Sequence, residues 1–240
     1  MYQPRTYRHW IKDSDLVSFN VRVKETDLQI RAQRDLKAEA SRAVTEYRAL
    51  LEEYIGSHPP FLSSLEPCSV EEGAPAIVKD MAQAAWIVGV GPMAAVAGAV
   101  AEAVGKDLLA HVPEIIVENG GDIFMKISRT RLIGIYAGKS PLTAKIALEI
   151  GAEETPLGIC TSSGTVGHSL SFGTADAVIV LSQSTAVADA AATAIGNSIK
   201  TAEDVAAAIE QAQTIDGLAG VVIIKDDKMG LWGRARLVSL

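Results

Sequence analysis

Apolar and polar positions divide the chain into stretches that alternate with a period of two and longer stretches with helical spacing. Across residues 16–32, Val17, Phe19, Val21 and Val23, then Leu28, Ile30 and Ala32, alternate with polar neighbours around Lys24-Glu25-Thr26-Asp27. That pattern predicts a hairpin. Over residues 36–55, Ala40, Val44, Tyr47, Leu51 and Tyr54 recur at three and four residues, and Gly56 follows. The spacing predicts an amphipathic helix that stops at the glycine. Residues 57–73, with His58-Pro59-Pro60, Pro67 and Gly73, read as an irregular loop.

Two Ala-rich helices are expected at residues 74–86 and 93–109, on either side of Val88-Gly89-Val90-Gly91-Pro92. Short strands follow at 114–118, 122–128, 131–137, 144–150, 158–162 and 177–181, then helices at 185–199 and 202–213 and a terminal hairpin at 221–225 and 230–238. Strands that meander instead of alternating with helices predict an α+β fold, with mixed or antiparallel sheets packed against Ala-rich helices. A weak echo links Ile115-Ile116-Val117-Glu118-Asn119-Gly120-Gly121-Asp122-Ile123 with the segment from Val222 to Gly230, as two pseudo-related halves would produce.

The 240 residues, 48% of them hydrophobic, can close one sizeable core. The expected organisation is one domain, with the hairpin and helix of residues 16–56 leading into a motif-bearing part at 74–240. Lys and Arg total 22 against 29 Asp and Glu, a net charge of −7, and no basic run interleaves with aromatics. A nucleic-acid partner is not expected. A phosphate-bearing ligand would have to be neutralised locally, by backbone N–H groups, a metal ion or a few placed cations. Cys68 and Cys160, far apart, form neither a disulfide framework nor a zinc motif, and the polar N-terminus does not read as a secretory signal. A cytoplasmic protein fits these features. The apolar stretch at 84–104 contains Pro92 and ends at Glu102, so it reads as a buried helix behind a turn and not as a membrane span. The apolar-rich composition is compatible with a homodimer.

Three segments carry candidate chemistry. In Glu118-Asn119-Gly120-Gly121-Asp122, adjacent glycines allow positive φ and close approach of a ligand to backbone N–H groups, with flanking carboxylates. A plain hairpin turn is the simpler reading. In Cys160-Thr161-Ser162-Ser163-Gly164-Thr165-Val166-Gly167-His168-Ser169, hydroxyls and glycines suit a phosphate or ribose, and His168 can donate or transfer a proton near neutral pH. A solvated loop accounts for the same composition. In Ala188-Asp189-Ala190-Ala191-Ala192-Thr193-Ala194, the i, i+4 spacing puts the Asp189 carboxylate and the Thr193 hydroxyl on one helix face. Both are hard oxygen ligands of the kind Mg²⁺ takes, although Asp189 could equally serve the helix dipole. Gly89-Val90-Gly91 is too short for a dinucleotide fingerprint.

In this order, Gly120-Gly121-Asp122-Ile123, Thr161-Ser162-Ser163-Gly164 with His168, and Ala188-Asp189-Ala190-Ala191-Ala192-Thr193-Ala194 resemble the motif series of the ApbE-like FAD:protein FMN transferases. The resemblance spans about residues 91–197. It implies an ApbE-like α+β fold and an FAD site using Asn119, Gly120, Gly121, Asp122, Ser162, Ser163, Gly164, Thr165 and His168. It further implies Mg²⁺ held by Asp189, Thr193 and a main-chain carbonyl near the helix beginning around Met93, with His168 and Asp189 as the candidate catalytic residues. Members of that family split FAD and attach FMN to a threonine of an acceptor protein. Here Val96-Ala97-Gly98 stands where the family has Ala-Lys-Gly, and Ser169-Leu170-Ser171-Phe172 follows His168 in place of the family's acidic residue. Two readings stay open: a Mg²⁺-dependent FMN transferase or FAD pyrophosphatase, and a flavin- or nucleotide-binding regulatory protein that has kept the cradle without the chemistry.

Overall fold

In the computed structural model, residues 15–166 and 170–240 are described. Strands β1 (Val17–Val23) and β2 (Thr26–Ala32) pair in register from Val17 with Ala32 to Val23 with Thr26, closing the expected hairpin. Helix α1 (Lys37–Ser57) continues one residue past Gly56, because the N–H of His58 still reaches the carbonyl of Tyr54. The segment expected to be irregular holds one short helix, α2 (Pro60–Ser63), started by a proline in its first turn.

The Ala-rich region forms α3 (Ala76–Val88), a 3-10 turn at Pro92–Ala95 and α4 (Val96–Leu108). Gly89, at φ 82, ends α3, and the axes on either side of the break differ by 107°. No single helix among the described residues is long and apolar enough to cross a membrane. Strands β3 (Ile115–Asn119), β4 (Asp122–Lys126), β5 (Arg131–Gly134), β6 (Ile146–Ile150), β7 (Leu157–Ser162) and β8 (Ala177–Ser182) follow. Helices α5 (Thr185–Ser198) and α6 (Val205–Gln213) precede β9 (Leu218–Lys225), β10 (Lys228–Gly233) and β11 (Leu237–Ser239).

Eight strands make one sheet, in the order β1-β2-β3-β4-β7-β8-β9-β10, and β11-β6-β5 make a second. Every strand pairing among the described residues is antiparallel. The two segments of the sequence echo are both hairpins of the large sheet, turning at Gly120-Gly121 and at Asp226-Asp227. The terminal strand differs from expectation. Instead of running through residues 230–238 it breaks after Gly233, whose φ of 76 lets the chain leave the first sheet and enter the second as β11.

One face of the large sheet carries the helices: α1, α3, α4 and α5 share a core with β1, β2 and β3, and α5 and α6 cover β7, β8 and β9. The three-stranded sheet packs on the other face through Ile135, Leu148 and Ile150 against Ile159, Ile179 and Val222. Covered on both faces, β8 is buried at all six positions, which is why Ala177-Val178-Ile179-Val180-Leu181 reads as a continuous apolar run instead of an alternation.

Candidate functional site

The site is built around the first turn of α4. A helix begins with backbone N–H groups that have no partner inside it, and Ala95, at the cap position of α4, provides no side-chain acceptor. Asp189, one turn into α5, fills that role from another helix. Its Oδ2 accepts a 2.8 Å hydrogen bond from the Gly98 amide, and the Ala97 amide also donates to the carboxylate. The approach requires glycine at 98. A Cβ there would lie 2.4 Å from the carbonyl oxygen of Thr185 and 2.8 Å from Cβ of Asp189.

The Gly-Gly-Asp hairpin meets the same turn. Nδ2 of Asn119 donates to the Ala97 carbonyl at 3.1 Å, so Asn119 and Asp189 hold the two ends of the Ala97–Gly98 peptide group. Gly120 and Gly121 have φ of 71° and 114°, the left-handed values expected of a two-residue turn. The Gly121 amide donates to Oε1 of Glu118 at 2.9 Å, and a Cβ on Gly121 would have nothing closer than 3.9 Å. Asp122, buried at 7% exposure, accepts a 3.2 Å hydrogen bond from the Thr161 amide, which joins the hairpin to the end of β7.

Asp189 and Asp122 therefore converge. Burial, and after it the charge of Asp122, push the Asp189 carboxyl well above the usual carboxylate range, against the opposing pull of the Gly98 and Ala97 amides. Part of Asp189 remains accessible to solvent. The Cys160 thiol lies beside both carboxylates; burial first, and then their charges, push it up, and Sγ donates to the Thr185 carbonyl at 3.4 Å. It is an inert packed thiol.

Helix α5 is buried at every position from Thr185 to Ala192 except Asp189. Asp189, Thr193 and Asn197, at i, i+4 and i+8, form its accessible stripe. The Thr193 hydroxyl has no hydrogen-bond partner among the described residues. Oδ1 of Asn197 accepts the Phe172 amide at 2.8 Å and so ties the stripe to the Ser/Gly/His loop.

In that loop the Ser163 hydroxyl accepts from the amides of Thr165 and Val166 at 3.1 and 3.0 Å, and the Thr165 hydroxyl donates to Asp176 at 2.9 Å. The Gly164 amide bonds to the Ala175 carbonyl, and Gly164 packs so closely on Gly173 that a Cβ would lie 2.2 Å from its carbonyl oxygen. These groups shape the loop itself. Ser162 is half-buried at the end of β7, facing Gly196 of α5. His168 lies outside the described residues.

Sequence reasoning noted Val96-Ala97-Gly98 for the family lysine absent at Ala97 without assigning Ala97 or Gly98 to the site, and it missed Asp176. Asp176 accepts from the Asp226 amide at 2.7 Å as well as from Thr165, clamping the loop to the β9–β10 turn. The sequence signals at 98 were a glycine among alanines and its match to the glycine of the family's Ala-Lys-Gly. Its pairing with a residue 91 positions away had none.

A divalent cation fits this chemistry. No group of three or more His, Cys, Asp or Glu among the described residues could hold a metal ion. The donor set here is different: the carboxylate of the partly exposed Asp189, the Asp122 carboxylate acting on it, the Thr193 hydroxyl one turn along, unpartnered among the described residues, and main-chain oxygens. The charge of Asp122 disfavours ionisation of Asp189, a penalty that a cation would offset, and hard oxygen donors of this kind are those Mg²⁺ takes.

Residues 8–229 match the model of the family described as "AbpE bacteria", and the chain belongs to that family. A UPF0280 protein of Methanocaldococcus jannaschii is 42% identical over 218 residues, covering 88% of each chain. The fold is that of the ApbE flavin transferases. The ApbE protein of Thermotoga maritima superposes with a TM-score of 0.55 over 90% of this chain and 96% of its own, at 11% identity. The flavinyl transferase ApbE of Pseudomonas stutzeri does so with a TM-score of 0.50 over 90% and 94%, at 14% identity.

Proposed function

We propose that this protein binds FAD together with Mg²⁺ at the junction of α4, the Gly120-Gly121 hairpin and the accessible stripe of α5, and acts there on the FAD pyrophosphate. The observation that carries the reading is the Asp189 carboxylate on the first turn of α4 with the charge of Asp122 acting on it. Asp189 and Thr193 would hold the cation, which when bound supplies charge neutralisation to the phosphates. The rest follows from the chain's own groups. The open glycine turn lets a ligand come within reach of backbone N–H groups, and the N-terminal end of α4 favours negative charge. Asn119 and Asp189 fix the direction of the Ala97 and Gly98 peptides. The Asp176 clamp keeps the Ser162–Thr165 segment beside α5, where Ser162, Ser163, Gly164 and Thr165 offer the ligand a shaped wall. His168 contacts the ligand in this reading.

Incubation of the purified protein with FAD and Mg²⁺ should release FMN or AMP, or pass FMN to an acceptor protein bearing a threonine site. Chromatography of the nucleotide products tests this directly. One observation favours a second reading, binding without turnover: at Ala97 the side chain is a methyl group where the similar family has a lysine, and the carbonyl of that residue is engaged by Asn119. FAD that binds in a Mg²⁺-dependent way and is recovered intact would select this second reading.

A further inference from the structure

At the opposite end of β7 and β8 from the candidate flavin site, the seam between the two sheets opens into a cavity of about 230 Å³. Its apolar lining is Leu157, Leu181, Leu218 and Ala219, and its polar lining is Glu154, Gln183 and Arg234. We propose that this cavity binds a small zwitterion with an apolar body, an α-amino acid of about the size of leucine.

The wall is specifically constructed. The β8–β9 ladder slips at Leu181/Ser182, where Leu181 pairs with Gly220 and Ser182 with Leu218, leaving Ala219 as the extra residue of a bulge. Bulges re-aim the groups beside them. Gly217 and Gly233, at φ 84 and 76, turn the chain on either side. The Ser182 hydroxyl straps the Gly217 carbonyl at 2.8 Å, and the Arg234 amide bonds to the Ala219 carbonyl at 2.8 Å. A Cβ on Gly233 would sit 2.4 Å from that same carbonyl oxygen, so the backbone path that delivers Arg234 to the cavity depends on glycine.

The polar groups are complementary to a zwitterion. Neither the Arg234 guanidinium nor the Gln183 amide has a hydrogen-bond or ion-pair partner among the described residues. Arginine presents a planar fork that matches a carboxylate. Glu154 uses Oε1 to accept the Gly151 amide at 2.7 Å, leaving its other oxygen for an ammonium group. The leucine floor takes the side chain. The volume lies below the range usual for drug-sized ligands, which favours a molecule of a few heavy atoms.

Calorimetric titration of the full chain with L-leucine, isovalerate and isopentylamine, each to about 10 mM, tests the proposal. Leucine should bind, and the two single-charge analogues should bind more weakly. Arg234→Gln removes an exposed charge with no native partner, and should weaken leucine at least about tenfold with unchanged unfolding temperature. Glu154→Gln keeps the carbonyl that accepts Gly151 and should restore parity between leucine and isovalerate. Absence of leucine binding, or binding that Arg234→Gln leaves unaltered, overturns the proposal whatever the outcome with FAD.

Discussion

Oδ2 of Asp189 accepts a 2.8 Å hydrogen bond from the amide of Gly98, and through it the carboxylate of α5 caps the start of α4. The same side chain thus does structural work, satisfying a helix end, and stands where a cation and a phosphate would meet. The two roles separate experimentally. Asp189→Asn keeps an oxygen for one amide and removes a charge that burial and Asp122 disfavour, so the lost cap and the relieved penalty offset and stability should change by no more than about 1 kcal/mol. It should abolish the Mg²⁺ dependence of FAD binding. Thr193→Val should act in the same direction with a smaller effect and leave stability within about 0.5 kcal/mol. Thermal unfolding alongside FAD titration with and without Mg²⁺ is the check, and unchanged Mg²⁺ dependence in Asp189→Asn would sink the assignment.

Gly98→Ala tests the close crossing of α4 and α5. The added methyl would press on Thr185 backbone and on Asp189 itself, so the helices must separate. Overpacking of this kind costs about 1–3 kcal/mol. Denaturant unfolding should report the loss, and FAD binding should weaken beyond what reduced folding accounts for.

FAD should protect the protein against thermal unfolding more than riboflavin does, because the proposed contacts are to phosphates. At about 100 times Kd, mass action gives roughly 2.7 kcal/mol of stabilisation. EDTA should remove most of the FAD effect and none of the riboflavin effect. A riboflavin shift equal to that of FAD would contradict phosphate recognition.

His168→Ala should weaken FAD binding modestly and leave the unfolding temperature of the ligand-free protein unchanged. Nucleotide titration and product analysis separate two roles here. Intact binding with lost turnover would make the histidine a chemical group instead of a contact.

Tyr47 provides a pH test away from the site. Its hydroxyl donates to Asp107 at 3.0 Å, joining α1 to α4, and burial first, then Asp107, push its pKa from 10.0 up to about 12. A group raised in the folded state favours folding below its unfolded pKa, and that contribution disappears as pH rises through the folded value. The parent should therefore lose stability between pH 10 and 12 relative to Tyr47→Phe. Alkaline unfolding curves that run parallel for the two proteins would contradict the hydrogen bond.

The sequence by itself determined most of the elements and the three motifs. Period-two alternation in residues 17–32 is a local signal, and β1 and β2 formed where it placed them. The i, i+4 spacing of Asp189 and Thr193 put both on one face of α5 because a helix fixes that relation without reference to the rest of the chain. The α+β class followed from strands in meanders. Tertiary structure alone decided what those motifs face. Neither the capping of α4 by Asp189, nor the hold of Asn119 on the Ala97 carbonyl, nor the Asp176 clamp is encoded in any local spacing. Each is a contact between segments brought together by burial of apolar surface, and burial is non-directional: it dictates that α4 and α5 must pack, while the absence of a side chain at Gly98 decides where they touch. The split of the last strand between two sheets has the same origin, in a left-handed turn at Gly233 whose need becomes visible only when both sheets are in place.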